Sequence, residues 1–171
     1  MRPSFEFVLE RTKTSLICAE IGVRGGHNAL DMLNSNAIEK LILVDPYMPY
    51  YDDEEFFDQA TMDKFRAEMI QRLDRFGKAN KIDFQLFTSK VASQMYQDGY
   101  FDYVYIDGLH TYEAVKEDSE LWYPKIKKNG IIAGHDYIDF KEGLRMAVDE
   151  FGKAHNLILM REKLDWMFVC R

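Results

Sequence analysis

Apolar and polar positions along the chain follow two periods, and the switches between them divide it into strands and helices. Short runs of β-branched, aromatic and small apolar residues at 16–21 (LICAEI), 41–45 (LILVD), 82–87 (IDFQLF), 101–106 (FDYVYI) and 131–134 (IIAG) read as strands. Between them apolar residues return every three or four positions: Phe65, Met69, Leu73 and Phe76 over 62–76, then Tyr112, Val115, Leu121 and Trp122. Further helices are expected over 4–13 (Phe5, Val8, Leu9), from His27-Asn28 to about 36, from a Thr88-Ser89 cap to Gly99, and over 144–151. Gly77 stops the long helix, and Asn129-Gly130 breaks the one that carries Trp122. Runs at 157–160 and 166–170, joined by residues 161–165, suit an antiparallel hairpin.

Strands that alternate with helices imply an α/β fold with a mostly parallel sheet and right-handed crossovers. The reading has seven strands, the last two adding the antiparallel hairpin. With 171 residues and no repeat, low-complexity tract or linker, one domain over residues 1–171 is expected.

Composition narrows the class. Apolar residues make up 47% and charged residues 30%, and no run of about 18 apolar residues exists to span a membrane. Residues 1–15 lack the apolar core of a signal peptide. Cys18 and Cys170 sit inside apolar runs and read as buried free thiols of a reducing compartment, so a cytoplasmic location is expected. A net charge of −7 without a basic block argues against nucleic acid as the main partner.

The candidate chemistry collects at strand ends. The run 101–106 stops at Asp107-Gly108 with His110 three residues after Asp107, and the run 131–134 stops at His135-Asp136. Each pair alone is an ordinary turn or strand terminus, and a lone His110 would be a surface or capping residue. Together they mark a site, because open α/β sheets bind ligands beyond the carboxyl ends of their strands. Residues 46–60 (PYMPYYDDEEFFDQA) follow such an end. Their acids suit a solvated loop, whereas their aromatics favour a substrate cover.

Between the first strand and first helix runs Glu20-x-Gly22-x-x-Gly25-Gly26. Glycines let a backbone approach a ligand closely, and the following helix N-terminus offers amide donors. Glu20, however, stands where dinucleotide sites carry their first glycine, and a carboxylate there repels a pyrophosphate. With Asp45 and Asp107 the rim is acidic, which suits cationic groups and ribose hydroxyls. S-adenosylmethionine carries an ammonium, a sulfonium and a ribose. Asp45 stands where an acid chelates ribose hydroxyls, and Arg24 could face the methionine carboxylate.

At this point the chain resembles the class I S-adenosylmethionine-dependent methyltransferases. It is most similar to a small branch with an "IDG-x-H-x-Y-E" stretch and a following "G-H-D-Y" or "G-D-D-Y", here residues 106–113 and 134–137. That branch includes macrolide and aminocoumarin sugar O-methyltransferases and relatives called cephalosporin hydroxylases. The resemblance covers about residues 16–170 and implies a Rossmann-like methyltransferase sandwich. It implies that Glu20, Gly22 and Gly25 shape the methionine pocket, that Asp45 holds the ribose, and that Thr88-Ser89 borders the adenine. In metal-dependent relatives the positions of Asp107, His135 and Asp136 bind magnesium. Magnesium prefers oxygen ligands, so the histidine here points to a transition metal such as manganese or iron, or to no metal.

The implied reaction is methyl transfer to a small hydroxylated acceptor such as a sugar or natural product. His110 is the candidate base, with Asp107 beside it; a metal would instead acidify the hydroxyl directly. Two rivals stand beside it, a silent S-adenosylmethionine-binding module and a nicotinamide oxidoreductase, the second opposed by Glu20. No nucleic-acid or membrane partner is expected, and association of identical chains stays open.

Overall fold

The computed structural model describes residues 1–12, 15–52, 55–75, 77 and 79–171. Its strands are β1 Leu16–Ile21, β2 Ile38–Val44, β3 Tyr50–Asp52, β4 Glu55–Phe57, β5 Ile82–Gln85, β6 Phe101–Ile106, β7 Ile126–Gly134, β8 Met160–Glu162 and β9 Asp165–Val169. Its α-helices are α1 Pro3–Arg11, α2 His27–Asn34, α3 Gln59–Asp74, α4 Ser89–Ser93, α5 Tyr112–Trp122 and α6 Glu142–Ala154. Seven strands form one sheet in the order β5-β2-β1-β6-β7-β9-β8. The first five run parallel, and β9 joins β7 antiparallel with β8 outside it. This is the expected Rossmann-like α/β sheet. No helix among the described residues is long and apolar enough to cross a membrane.

The period-two pattern gives each sheet face its own core. On one face Tyr103 and Tyr105 pack with Phe5, Met32, Leu33 and Met69 from α1, α2 and α3. On the other, Val104 and Ile106 pack with Val115, Trp122, Val148 and Phe151 from α5 and α6. Side-chain caps start three helices where the sequence offers an oxygen: Asp58 accepts from the Thr61 amide, Thr88 from Val91 and Thr111 from Ala114. Cys18 and Cys170 are free and buried.

Four expectations are corrected. Asn129-Gly130 does not end a helix, since α5 already ends at Trp122; the pair forms a bulge inside β7, where Asn129 takes φ 65° and the pairing with β6 slips. The helix expected from 89 to 99 stops at Ser93. The strand expected over 157–160 starts at Met160. Residues 46–60 are not a plain loop: β3 and β4 form a hairpin with Tyr50 stacked on Phe57 at 4.9 Å. Lys13, Asp53, Glu54 and Phe76, parts of three expected segments, lie outside the described residues.

Helix α1 is pinned to the far end of the chain. The Ser4 hydroxyl donates to Asp165 Oδ2 at 2.6 Å, the Ser4 amide donates to the same oxygen at 3.1 Å, and the Tyr105 hydroxyl donates to Asp165 Oδ1 at 3.0 Å. Ser4 and Asp165 are both buried, so losing one partner strands the others. Ser4→Ala is therefore expected to cost about 1–3 kcal/mol in urea denaturation. Unchanged stability would mean that α1 is held by its apolar residues alone.

Candidate functional site

A cleft of about 900 Å³ opens beyond the carboxyl ends of the parallel strands. All the residues singled out in the sequence line it: Glu20, Gly22, Arg24, Gly25 and Asp45 at the glycine turn, Thr88 and Ser89 at one end, and Asp107, His110, His135 and Asp136 at the other. The sheet register explains the convergence. Ile21 lies level with Val44 and Ile106, and Ile106 with Gly134, so the residues that follow share one rim.

Gly22 is required by space. It sits at φ +84°, and a Cβ there would lie 2.3 Å from the Asp107 carbonyl oxygen. Asp45 holds the turn that follows: its Oδ2 accepts from the Val23 and Arg24 amides, each at 3.0 Å, and its Oδ1 from the Tyr47 amide at 2.8 Å. A carboxylate has about four lone-pair positions, so this leaves Asp45 roughly one for a ligand. The Arg24 guanidinium lies over the rings of Phe57 at 5.3 Å and Phe65 at 4.6 Å, held by the hairpin and α3.

Glu20 is buried, and its Oε1 accepts from Asn28 Nδ2 at 3.2 Å. Among the described residues, Glu20 Oε2 and Asn28 Oδ1 have no hydrogen-bond partner. Burial, with Asp107 adding to it, pushes the Glu20 carboxyl well above the usual range. Two acceptors without donors beside a cleft suit a cationic donor.

The opposite end is a cluster of acids and imidazoles. His110 Nδ1 lies 3.4 Å from Asp52 Oδ2, and His110 Nε2 lies 3.5 Å from both Asp107 Oδ1 and Asp136 Oδ2. These are ion-pair separations, and neither ring nitrogen makes a well-directed hydrogen bond. Burial pulls the His110 pKa down, but Asp107, Asp136 and Asp52 outweigh it and the net shift is upward. Cations flank the cluster: Arg2 reaches Asp107 Oδ2 at 3.2 Å, and Lys141 lies 3.8 Å from Asp52 Oδ1.

The metal expectation is not met. His135 Nδ1 lies 2.7 Å from Asp136 Oδ1 but 4.0 Å from Asp107 Oδ1. The imidazole is thus spent on Asp136 rather than shared around a common centre, and its hydrogen bond lowers the Asp136 pKa. Among the described residues no group of three or more His, Cys, Asp or Glu is arranged to hold an ion.

At the Thr88–Ser89 end, the Ser89 hydroxyl accepts from Trp122 Nε1 at 2.8 Å, with Asp118 beside it. Asp118 is only 8% exposed and lines the cleft. Burial pushes its pKa up to about 6.

Sequence reasoning passed over Arg2, Asn28, Asp52 and Asp118. For Asp118 a signal existed, because it stands three residues after Val115 and four before Trp122, an acid on the apolar stripe of α5. Asp52 was hidden within an acidic run. Arg2 precedes the first helix, and no periodicity points to it.

Residues 19–137 match the methyltransferase domain family. An uncharacterised protein, R132, of Acanthamoeba polyphaga mimivirus is 26% identical over 129 residues, 75% of this chain; the chain spans 55% of that protein's length. A Corynebacterium glutamicum protein of solved structure superposes with a TM-score of 0.71 at 14% identity, over 98% of this chain and 79% of that one. A Staphylococcus aureus structure assigned as a caffeoyl-CoA O-methyltransferase gives 0.68 at 14% identity, over 99% and 84%. At such identities the structures speak for the fold alone.

The Asp118 shift makes a stability prediction. Its folded pKa of about 6 lies above the ordinary 3.8, so folding favours the protonated acid. Its burial is therefore tolerated best below about pH 4, and stability is lost as pH rises through about 6, by on the order of 2–3 kcal/mol. Asp118→Asn should remove that loss, so its advantage over the wild type in urea denaturation should grow between about pH 4 and 7. An advantage that does not change with pH would contradict the shift.

Proposed function

The chain belongs to the methyltransferase domain family, and from that premise we propose that it transfers a methyl group from S-adenosylmethionine to a hydroxyl of a small acceptor. The observation that carries the reading is one cleft with an acidic glycine turn in the middle and an acid–imidazole cluster at one end. The methionine ammonium meets the unpaired oxygens of Glu20 and Asn28, and the ribose meets the remaining capacity of Asp45. The adenine lies against Thr88 and Ser89. Arg24, held over two aromatic rings with its N–H donors free among the described residues, and Arg2, whose guanidinium has donors left beyond Asp107, both stand ready for the methionine carboxylate.

This places the sulfonium toward Asp107 and the acceptor beside His110. Methyl transfer is an in-line displacement, so catalysis consists of alignment plus removal of the acceptor's proton. His110 takes that proton. Its three carboxylate neighbours orient the ring and stabilise the imidazolium that forms. The hairpin delivers one of them, Asp52, and so covers the acceptor while completing the site. The motifs at residues 106–113 and 134–137 favour a sugar or related polyhydroxylated acceptor, handled by one domain over residues 1–171. The two free buried thiols suit the reducing cytosol.

His110→Ala should leave S-adenosylhomocysteine affinity nearly intact while lowering turnover by about 10²–10⁴-fold. Asp45→Ala should instead weaken that affinity by about 1–3 kcal/mol. Calorimetry and product mass measured against a panel of sugars and phenols check both. Wild-type turnover in His110→Ala would reject it as the base, and unchanged affinity in Asp45→Ala would remove Asp45 from the cofactor site.

A further inference from the structure

The acids of the cleft differ in how far the fold itself accounts for them. Asp45 spends its carboxylate on three backbone amides of the glycine turn. Asp107 divides its oxygens between Arg2 and His110, and Asp136 receives His135. Asp118 is as buried as Asp45, yet among the described residues only Ser89 favours its charge, and its charged neighbour Glu117 bears the same sign. A carboxylate that costs stability and braces nothing is a candidate for work on a ligand.

We propose that Asp118 reads the 6-amino group of the cofactor's purine and thereby selects adenine over 6-oxo purines. This rests on the reading that an S-adenosyl ligand fills the cleft with its base at Thr88 and Ser89. Asp118 projects from α5 into that end, beside Ser89 at the start of α4. Asp118 Oδ2 faces Gly108 at the end of β6, where an added Cβ would meet it at an ordinary contact distance of 3.6 Å.

The chemistry follows from which hydrogen-bonding capacity is left. Ser89 accepts from Trp122 and lies beside Asp118, where it favours the charged carboxylate. Asp118, once ionised, is acceptor-only with lone pairs in reserve. Adenine presents an amino donor at position 6, and a 6-oxo purine presents a carbonyl there, facing a carboxylate. A buried acceptor thus favours the amino form and leaves the oxo form an unpaired, repelled oxygen.

The test compares S-adenosylhomocysteine with its deaminated counterpart, S-inosylhomocysteine, by calorimetry on the full chain. The wild type should prefer the adenine compound by roughly 10- to 100-fold. In Asp118→Asn, whose amide can turn to serve either base, and in Asp118→Ala, the preference should shrink to within about threefold. The loss should fall mainly on the adenine compound. Thermal melts of both variants check that folding is intact. Undiminished preference in both variants would overturn the role of Asp118 while leaving the cofactor reading standing. A wild type that binds neither compound would overturn both.

Discussion

The register of the four central strands is the constraint from which the site follows. Ile21, Val44, Ile106 and Gly134 lie in one row across β2, β1, β6 and β7. Their successors Gly22, Asp45, Asp107 and His135 therefore leave the sheet together. A slip of one residue in β2 or β6 would turn an acid into the core. Contact at the rim is close enough that Gly22 admits no side chain beside the Asp107 carbonyl. Asp45 then converts that row into a shaped turn by gathering three amides that would otherwise need water.

Much of this was legible because the physics behind it is local. Apolar runs that stop at Asp45, Asp107 and His135 announced both strands and rim, and the cap Thr88 was written as an oxygen ahead of a helical run. What escaped was set by tertiary contact. Asn129-Gly130 is a turn signal used inside a strand, since β6 and β9 continue to pair around it. Residues 50–57 gave no clear alternation, and their pairing depends on aromatics stacking across a short hairpin. Arg24 was legible as a loop residue of the cleft, but the two rings on other elements that it lies over were not. The metal expectation came from the resemblance to metal-dependent relatives; the direction of the His135 ring was not available in the sequence.

The cleft concentrates buried acids whose ordinary solvent is missing. Glu20 and Asp118 are both shifted upward by burial, so the free protein carries an electrostatic penalty at neutral pH. A ligand that brings donors to those groups relieves it, and binding then adds to stability by linkage. Strain of this kind is common where a fold is shaped for a partner rather than for itself.

The Ser4–Asp165 bond also has a consequence in time. It joins residues 161 apart, and through α1 it carries Arg2 to Asp107. A chain emerging from the ribosome makes α1 long before its anchor on β9. Strands β1, β2 and β6 can pair before then, yet the wall that Arg2 supplies must wait. Until β9 has been made, the chain would hold a formed glycine turn beside an open pocket, and the site closes only once that strand is in place.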